Sequence, residues 1–191
     1  MKVVAIVGSP RPKGNTSYLV DQALQEISNH GIETEKIILS QYLINGCLGH
    51  ENCRSFKICQ QDDDGRWIVE KFSQADGIIL ATPVYYYNMT AQMKTFIDRN
   101  YFLYMHGIRL NAVCAGLIVV AGGSAIDITV RALRRCFRVK GENPEERTII
   151  LTGYASRPGE VKNQPALIEE ARNLGKRMAE ILRTVKSSKT T

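Results

Sequence analysis

The sequence predicts an α/β protein: a five-stranded parallel sheet with helices on both faces, a three-layer sandwich. Three observations carry that expectation. Five short runs rich in Val, Ile, Leu and Ala alternate with five segments of helical periodicity along the 191 residues. The runs are apolar almost throughout, as strands buried on both faces require. A chain with 44% hydrophobic and 23% charged residues has the make-up of a soluble globular protein with one full core. Strands separated by helices pair in parallel through right-handed crossovers, which puts helices on both sides of the sheet.

The first strand is expected at 2–7 (KVVAIV), ending in a glycine turn. A helix follows at 16–29, with Leu19, Val20, Ala23, Leu24 and Ile27 on one side. The second strand is expected at 33–39. A helix at 65–74 begins after the acidic run Asp62, Asp63, Asp64. The third strand is expected at 76–84 and a helix at 89–101; the fourth strand at 111–122 and a helix at 124–139; the fifth strand at 147–154. The last helix, 166–185, carries Leu167, Ala171, Leu174, Met178, Ile181 and Leu182 as its apolar stripe. The domain is expected to span 1–185, with a frayed polar tail at 186–191. The segment 40–63 shows no periodicity, and so long a loop in a compact domain points to function.

Charge and cysteine usage narrow the classes. The net charge of +6 is compatible with nucleic acid and equally with any phosphate-bearing ligand or acidic protein partner, so charge alone does not decide. The apolar run at 3–7 is too short for a membrane span or a signal-peptide core, so the expected location is cytoplasmic, with no membrane partner; a nucleic-acid-binding role ranks a distant third, and no nucleic-acid partner is expected. Five cysteines, three of them in one loop, argue against a disulfide scaffold and for metal or redox use in a reducing compartment.

Two stretches carry the chemistry of a ligand site. The first strand runs into GSPRPKGNTSYL, where glycines, hydroxyls, Arg11 and Lys13 coincide at the start of a helix. Such a loop offers backbone N–H groups at the positive helix end, the usual way to hold a phosphate. It matches neither the Walker pattern nor Gly-x-Gly-x-x-Gly. After the third strand comes TPVYYYNMTAQMK, in which Pro83 fixes a turn, Val84 and Tyr85 offer an apolar wall, and Tyr86, Tyr87 and Asn88 add rings and hydrogen-bonding groups. At least one of the three tyrosines is expected at a core edge or a subunit contact. The fourth strand ends in VVAGGSAID, placing Gly122, Gly123 and Ser124 at the same sheet edge. In a 2-1-3-4-5 strand order these loops meet where the order reverses, the usual ligand crevice of open α/β sheets. Phosphate loop, aromatic wall and glycine turn together suggest a pocket for flavin mononucleotide (FMN).

The loop GCLGHENCRSFKIC spaces Cys47, His50, Cys53 and Cys59 as C-x2-H-x2-C-x5-C. Three cysteines and a histidine suit an iron-sulfur cluster with imidazole in place of one thiolate, a tetrahedral zinc site, or a decayed motif without metal.

GSPRPKGNTSYL, ADGIILATPVYYYNMTAQMKTFIDR and EARNLGKRMAEIL together resemble the flavodoxin-like NADPH-dependent FMN reductase family over essentially the whole chain, and within it the iron-sulfur flavoproteins of anaerobic microbes. The resemblance implies that Ser9, Arg11, Asn15, Thr16 and Ser17 surround the FMN phosphate. It implies that Thr82, Pro83, Val84 and Tyr85, with Gly122 and Gly123, line the ring and ribityl chain. The iron-sulfur flavoproteins carry C-x2-C-x2-C with a fourth cysteine a few residues later. Cys47, Cys53 and Cys59 match the first, third and fourth of these, and His50 stands at the second. The family further implies an oxidoreductase working as a homodimer or homotetramer, with NAD(P)H or a protein as electron donor. The chemistry is the cofactor's, and no side chain is assigned as catalytic. Two roles follow: an electron carrier using FMN and a four-iron cluster, or an NAD(P)H-dependent FMN or quinone reductase without a functional cluster.

Four further features are weaker. The basic run 131–140 reads as a solvated helix face that could also attract NADPH or an acidic partner. Cys114 and Cys136 read as packing residues, and His30 as a helix end. His106 lies between the third helix and the fourth strand, within possible reach of a flavin or a neighbouring subunit.

Overall fold

The structure is a computed structural model that describes residues 1–141 and 143–187. Strands β1 (Lys2–Val7), β2 (Glu33–Ile38), β3 (Gly77–Tyr85), β5 (Cys114–Ala121) and β6 (Thr148–Tyr154) form a parallel sheet in the order β2-β1-β3-β5-β6. A two-residue strand, β4 (Asn88–Met89), turns back antiparallel on the end of β3. Without that arm the order is the 2-1-3-4-5 of the flavodoxin type. Helices α1 (Asn15–Asn29) and α6 (Pro165–Ser187) cover one face; α2 (Gly65–Gln74), α3 (Ala91–Arg99) and α5 (Ile126–Arg135) cover the other.

The two faces are separate apolar cores, as the period-2 alternation of the strands dictates. Val3, Ala5 and Val7 point to the α1/α6 side, whereas Val4 and Ile6 point to the α2/α3 side. Helix α6 lies close against α1 because Gly175 has no side chain: a Cβ there would run into the Ala23 carbonyl. No helix among the described residues is long and apolar enough to cross a membrane.

Differences from the expected boundaries have local causes. The helix expected at 89–101 starts later, with Thr90 as its N-cap accepting from Met93 N at 3.2 Å. It ends at Arg99, and a separate turn, α4 (Tyr101–Met105), follows Asn100. The helix expected at 124–139 is shorter at both ends. It begins after Ala125 in a left-handed conformation (φ 65°) and stops at Arg135, because Val139 turns into the second core and Lys140 N bonds to Ala112 O at 2.8 Å. The tail expected from 186 falls partly outside the described residues, which end at 187, and α6 runs through Lys186 to Ser187.

Candidate functional site

The sheet order reverses between β1 and β3, and the loops leaving their carboxyl ends lie side by side. Gly8 N donates to Ala81 O at 2.8 Å, and Thr90 Oγ1 donates to Gly8 O at 2.7 Å. Thr90 N in turn donates to Thr82 Oγ1 at 3.2 Å. Only a glycine fits at position 8, since a Cβ there would stand 2.8 Å from both Met93 Cβ and Thr90 Oγ1. Thr90 thus joins the two loops and caps α3. The sequence reading missed it, although a threonine directly before an apolar-periodic helix is an N-cap signal.

From Gly8 the chain curls tightly: Arg11 N donates to Ser9 Oγ at 3.2 Å and Gly14 N to Arg11 O at 2.9 Å. Helix α1 then starts with Gly14 as an extended N-cap and no capping side chain. The backbone N–H groups of Asn15, Thr16 and Ser17 find no acceptor among the described residues. Ser9, Thr16 and Ser17 are nevertheless buried. Asn15 donates through Nδ2 to Arg157 O at 2.8 Å, while its Oδ1 is buried without a partner. The Ser17 hydroxyl accepts from Lys36 Nζ at 3.2 Å, an engagement the sequence did not foreshadow. A buried helix start with unmet N–H groups has the chemistry that suits an anion.

The other predicted loops reach the same edge. Ser156 Oγ donates to Gly122 O at 2.9 Å, tying the Gly122–Gly123 turn to the segment after β6. That segment, through Arg157 O, also contacts α1, and sequence reasoning did not include it. Glu160 holds it by accepting from Ser156 N and Arg157 N at 2.7 and 2.8 Å, bonds that lower its carboxyl pKa. Beyond Thr82 and Pro83, β3 and β4 form a two-residue hairpin with Tyr86 (φ 46°) and Tyr87 (φ 70°) both left-handed. This is the turn geometry that favours Asn and Gly, so two tyrosines there are strained. None of the three tyrosines is buried: Tyr85, Tyr86 and Tyr87 are 42%, 97% and 65% exposed. The expected core-edge role is not filled within this chain.

The cysteine loop is built differently. Between β2 and α2 the only regular pieces are single 3-10 turns at Leu39–Gln41 and Cys53–Ser55. Side chains hold the rest. Asp63, its side chain fully buried, accepts from Asn45 N at 2.8 Å and Gly65 N at 3.0 Å and pairs with Arg99 Nη1 at 2.6 Å. Burial pushes its carboxyl pKa up, but the Arg99 bond and the backbone donors prevail and hold it below the ordinary 3.8. Asp64 accepts from Leu43 N and from Trp67 Nε1, each at 2.9 Å. His106 contacts the carbonyls of Phe102 and Phe56 at 2.8 and 2.9 Å and stacks on Phe102, so it staples this loop to α4.

Cys47, His50, Cys53 and Cys59 line one small cavity with Phe56 and Phe102. Arg99 Nη2 donates to Cys59 Sγ at 3.4 Å and Gly49 N to Cys47 Sγ at 3.4 Å. Burial, then the neighbouring Cys59 and Cys47, push the Cys53 thiol pKa up. Three thiols around one cavity, two of them accepting N–H bonds, fit the chemistry of a thiolate-held metal. Their side chains are not drawn into a closed cage, and no group of three His, Cys, Asp or Glu among the described residues is arranged to hold a metal ion. Cys114 lies in the core, its thiol pushed up to about 12 by burial, and Cys136 bonds to Ala132 O within its own helix end at 3.1 Å. His30 ends α1.

A doubly wound parallel sheet with a buried, uncapped helix start at its switch point defines the flavodoxin-like class. Within it, the model of the family described as NADPH-dependent FMN reductase matches residues 1–144, and the chain belongs to that family. An iron-sulfur flavoprotein of Methanocaldococcus jannaschii is 38% identical over 97% of this chain and 100% of its own. Another, of Archaeoglobus fulgidus, is 39% identical over 94% and 80%. Among solved structures, RosB with bound 8-demethyl-8-formylriboflavin-5'-phosphate superposes with a TM-score of 0.72 at 15% identity, covering 98% of this chain and 81% of that one.

Proposed function

We propose that this chain is an FMN-binding redox protein of the iron-sulfur flavoprotein type, passing electrons from NAD(P)H or a protein donor to an acceptor. The observation that carries the reading is the buried start of α1, where three successive N–H groups find no acceptor among the described residues. An FMN phosphate would satisfy them, with Ser9, Arg11, Asn15, Thr16 and Ser17 around it. Asn15 Oδ1, buried without a donor, suits a hydroxyl of the ribityl chain. Thr82, Pro83, Val84 and Tyr85 would flank the ring on one side, with Gly122 and Gly123 admitting it on the other. FMN supplies the redox chemistry; the protein binds it, orients it and shields it from water.

In this reading Cys47, Cys53 and Cys59, with His50 as fourth ligand, hold an iron-sulfur cluster, and Arg99 steadies Cys59. The alternative reading is an NAD(P)H-dependent FMN or quinone reductase without a functional cluster. Zinc in the same site is the remaining occupant to test. The exposed tyrosine hairpin supports a homodimer or homotetramer, since rings so exposed gain from burial against a second copy. Free thiols support a reducing, cytoplasmic setting.

The test is ligand discrimination. FMN should bind far better than riboflavin, and Thr16→Ala should weaken FMN about tenfold or more while leaving riboflavin within about twofold. Equal losses for both would reject the phosphate assignment.

A further inference from the structure

A second cleft, of about 610 Å³, lies on the other face of the chain from α1, between α2 and α4. Its size is that of a small-molecule site. Val69 and Leu103 are the buried floor, and Trp67 forms part of the wall. At the rim Ile58 and Ile108 remain 58% and 46% exposed, apolar surface with nothing packed over it. Cys59 and Arg99 belong to its lining, so an occupant would lie against the cysteine loop.

The charged groups here are mostly cationic. Arg99 is neutralised by Asp63 and Arg66 by Asp62. Lys57 and Arg109 have no hydrogen bond or ion pair among the described residues. Arg66 pairs through Nη1 only, and its Nε is buried with no acceptor. Glu70 is the single carboxylate in the lining. An apolar slot with two free cations and an orphaned guanidinium donor wants a flat hydrophobic body with one negative group.

We propose that this cleft binds a small planar organic anion, an aromatic carboxylate or sulfonate, stacked near Trp67 with its charge toward Lys57, Arg66 and Arg109. The site is distinct from the α1 loop proposed for FMN and does not depend on a metal in the cysteine loop. Trp67 is the only tryptophan of the chain, so a single indole lining this cleft is the donor for an energy-transfer readout.

The experiment titrates the full chain, with FMN present in excess, with anthracene-9-carboxylate and separately with the neutral 9-anthracenemethanol, following energy transfer from Trp67. The expected result is saturable transfer with tighter binding of the carboxylate. Lys57→Gln with Arg109→Gln should weaken the carboxylate about tenfold or more and move the alcohol less than about twofold. Arg138→Gln, in the neighbouring groove, should change neither. The proposal is overturned by absence of saturable transfer, by equal losses for acid and alcohol, or by an Arg138→Gln loss as large as that of the double variant. Release of the probe as FMN is raised further would overturn it too, because the probe would then occupy the flavin site.

Discussion

The loop before α1 and the loop before α2 both follow a strand of the same sheet, yet they are held by different forces. Residues 8–14 are fixed by backbone: Gly8 N to Ala81 O, Gly14 N to Arg11 O, and the close approach of Gly8 to α3. Residues 42–64 are fixed by side-chain bonds, above all the buried Asp63–Arg99 pair and the His106 staple. A backbone-built site keeps its shape through many substitutions of its neighbours. A side-chain-built one depends on a few residues, each decisive, and is free to vary in what it holds.

The largest effect should therefore come from Arg99. Both partners are almost fully buried, so Arg99→Leu strands the Asp63 carboxylate and should cost about 3–5 kcal/mol in denaturant unfolding, with the cysteine loop becoming protease-sensitive. The double variant Asp63→Leu with Arg99→Leu should recover part of that loss. If Arg99→Leu is silent, the loop does not rest on this pair.

Next is Gly8→Ala. Forcing a Cβ to within 2.8 Å of Met93 Cβ should cost about 1–3 kcal/mol, and it should weaken FMN, because β1 and α3 would be pushed apart at the phosphate loop. Calorimetry and FMN titration should move together; a stability loss with unchanged FMN affinity would separate the packing from the site. Thr90→Val, which removes the donor to Gly8 O and the cap of α3, should cost about 1–2 kcal/mol with the same pairing of readouts.

The smallest effect is on pH dependence. Asp63 has its pKa lowered in the folded chain, so its contribution is full above the ordinary carboxylate value of 3.8 and is lost as pH falls through the lower folded value. Proteolysis of the cysteine loop should therefore accelerate only below about pH 4, in a step absent from Asp63→Asn. A step centred near neutral pH in both proteins would assign the sensitivity to another group.

The same contrast explains what could be read in advance. The inner strands β1, β3 and β5 were legible because burial on both faces leaves a continuous apolar run, and 2–7 matches β1 to the residue. The phosphate loop was legible because glycine, hydroxyl and base coincide locally. Thr90, Arg157 and Arg99 were not weighed, because what matters in each is a partner 82, 142 or 36–54 positions away. The tyrosine hairpin misled in one respect: aromatic residues usually mark burial, whereas here a two-residue turn throws Tyr86 outward. The cysteine spacing named the candidate ligands but not their orientation, which depends on the side-chain ties of the loop.

The central claim is that the chain carries two independently built sites, one for FMN and one in the cysteine loop. Anaerobically prepared parent, Cys53→Ser and Thr16→Ala proteins, analysed for flavin, iron and sulfide, test it most directly. The expected result is FMN with iron and sulfide in the parent, FMN without iron and sulfide in Cys53→Ser, and iron and sulfide with weakened FMN in Thr16→Ala. Iron and sulfide absent from the parent, or unchanged in Cys53→Ser, would contradict the account, as would loss of FMN and cluster together in either variant.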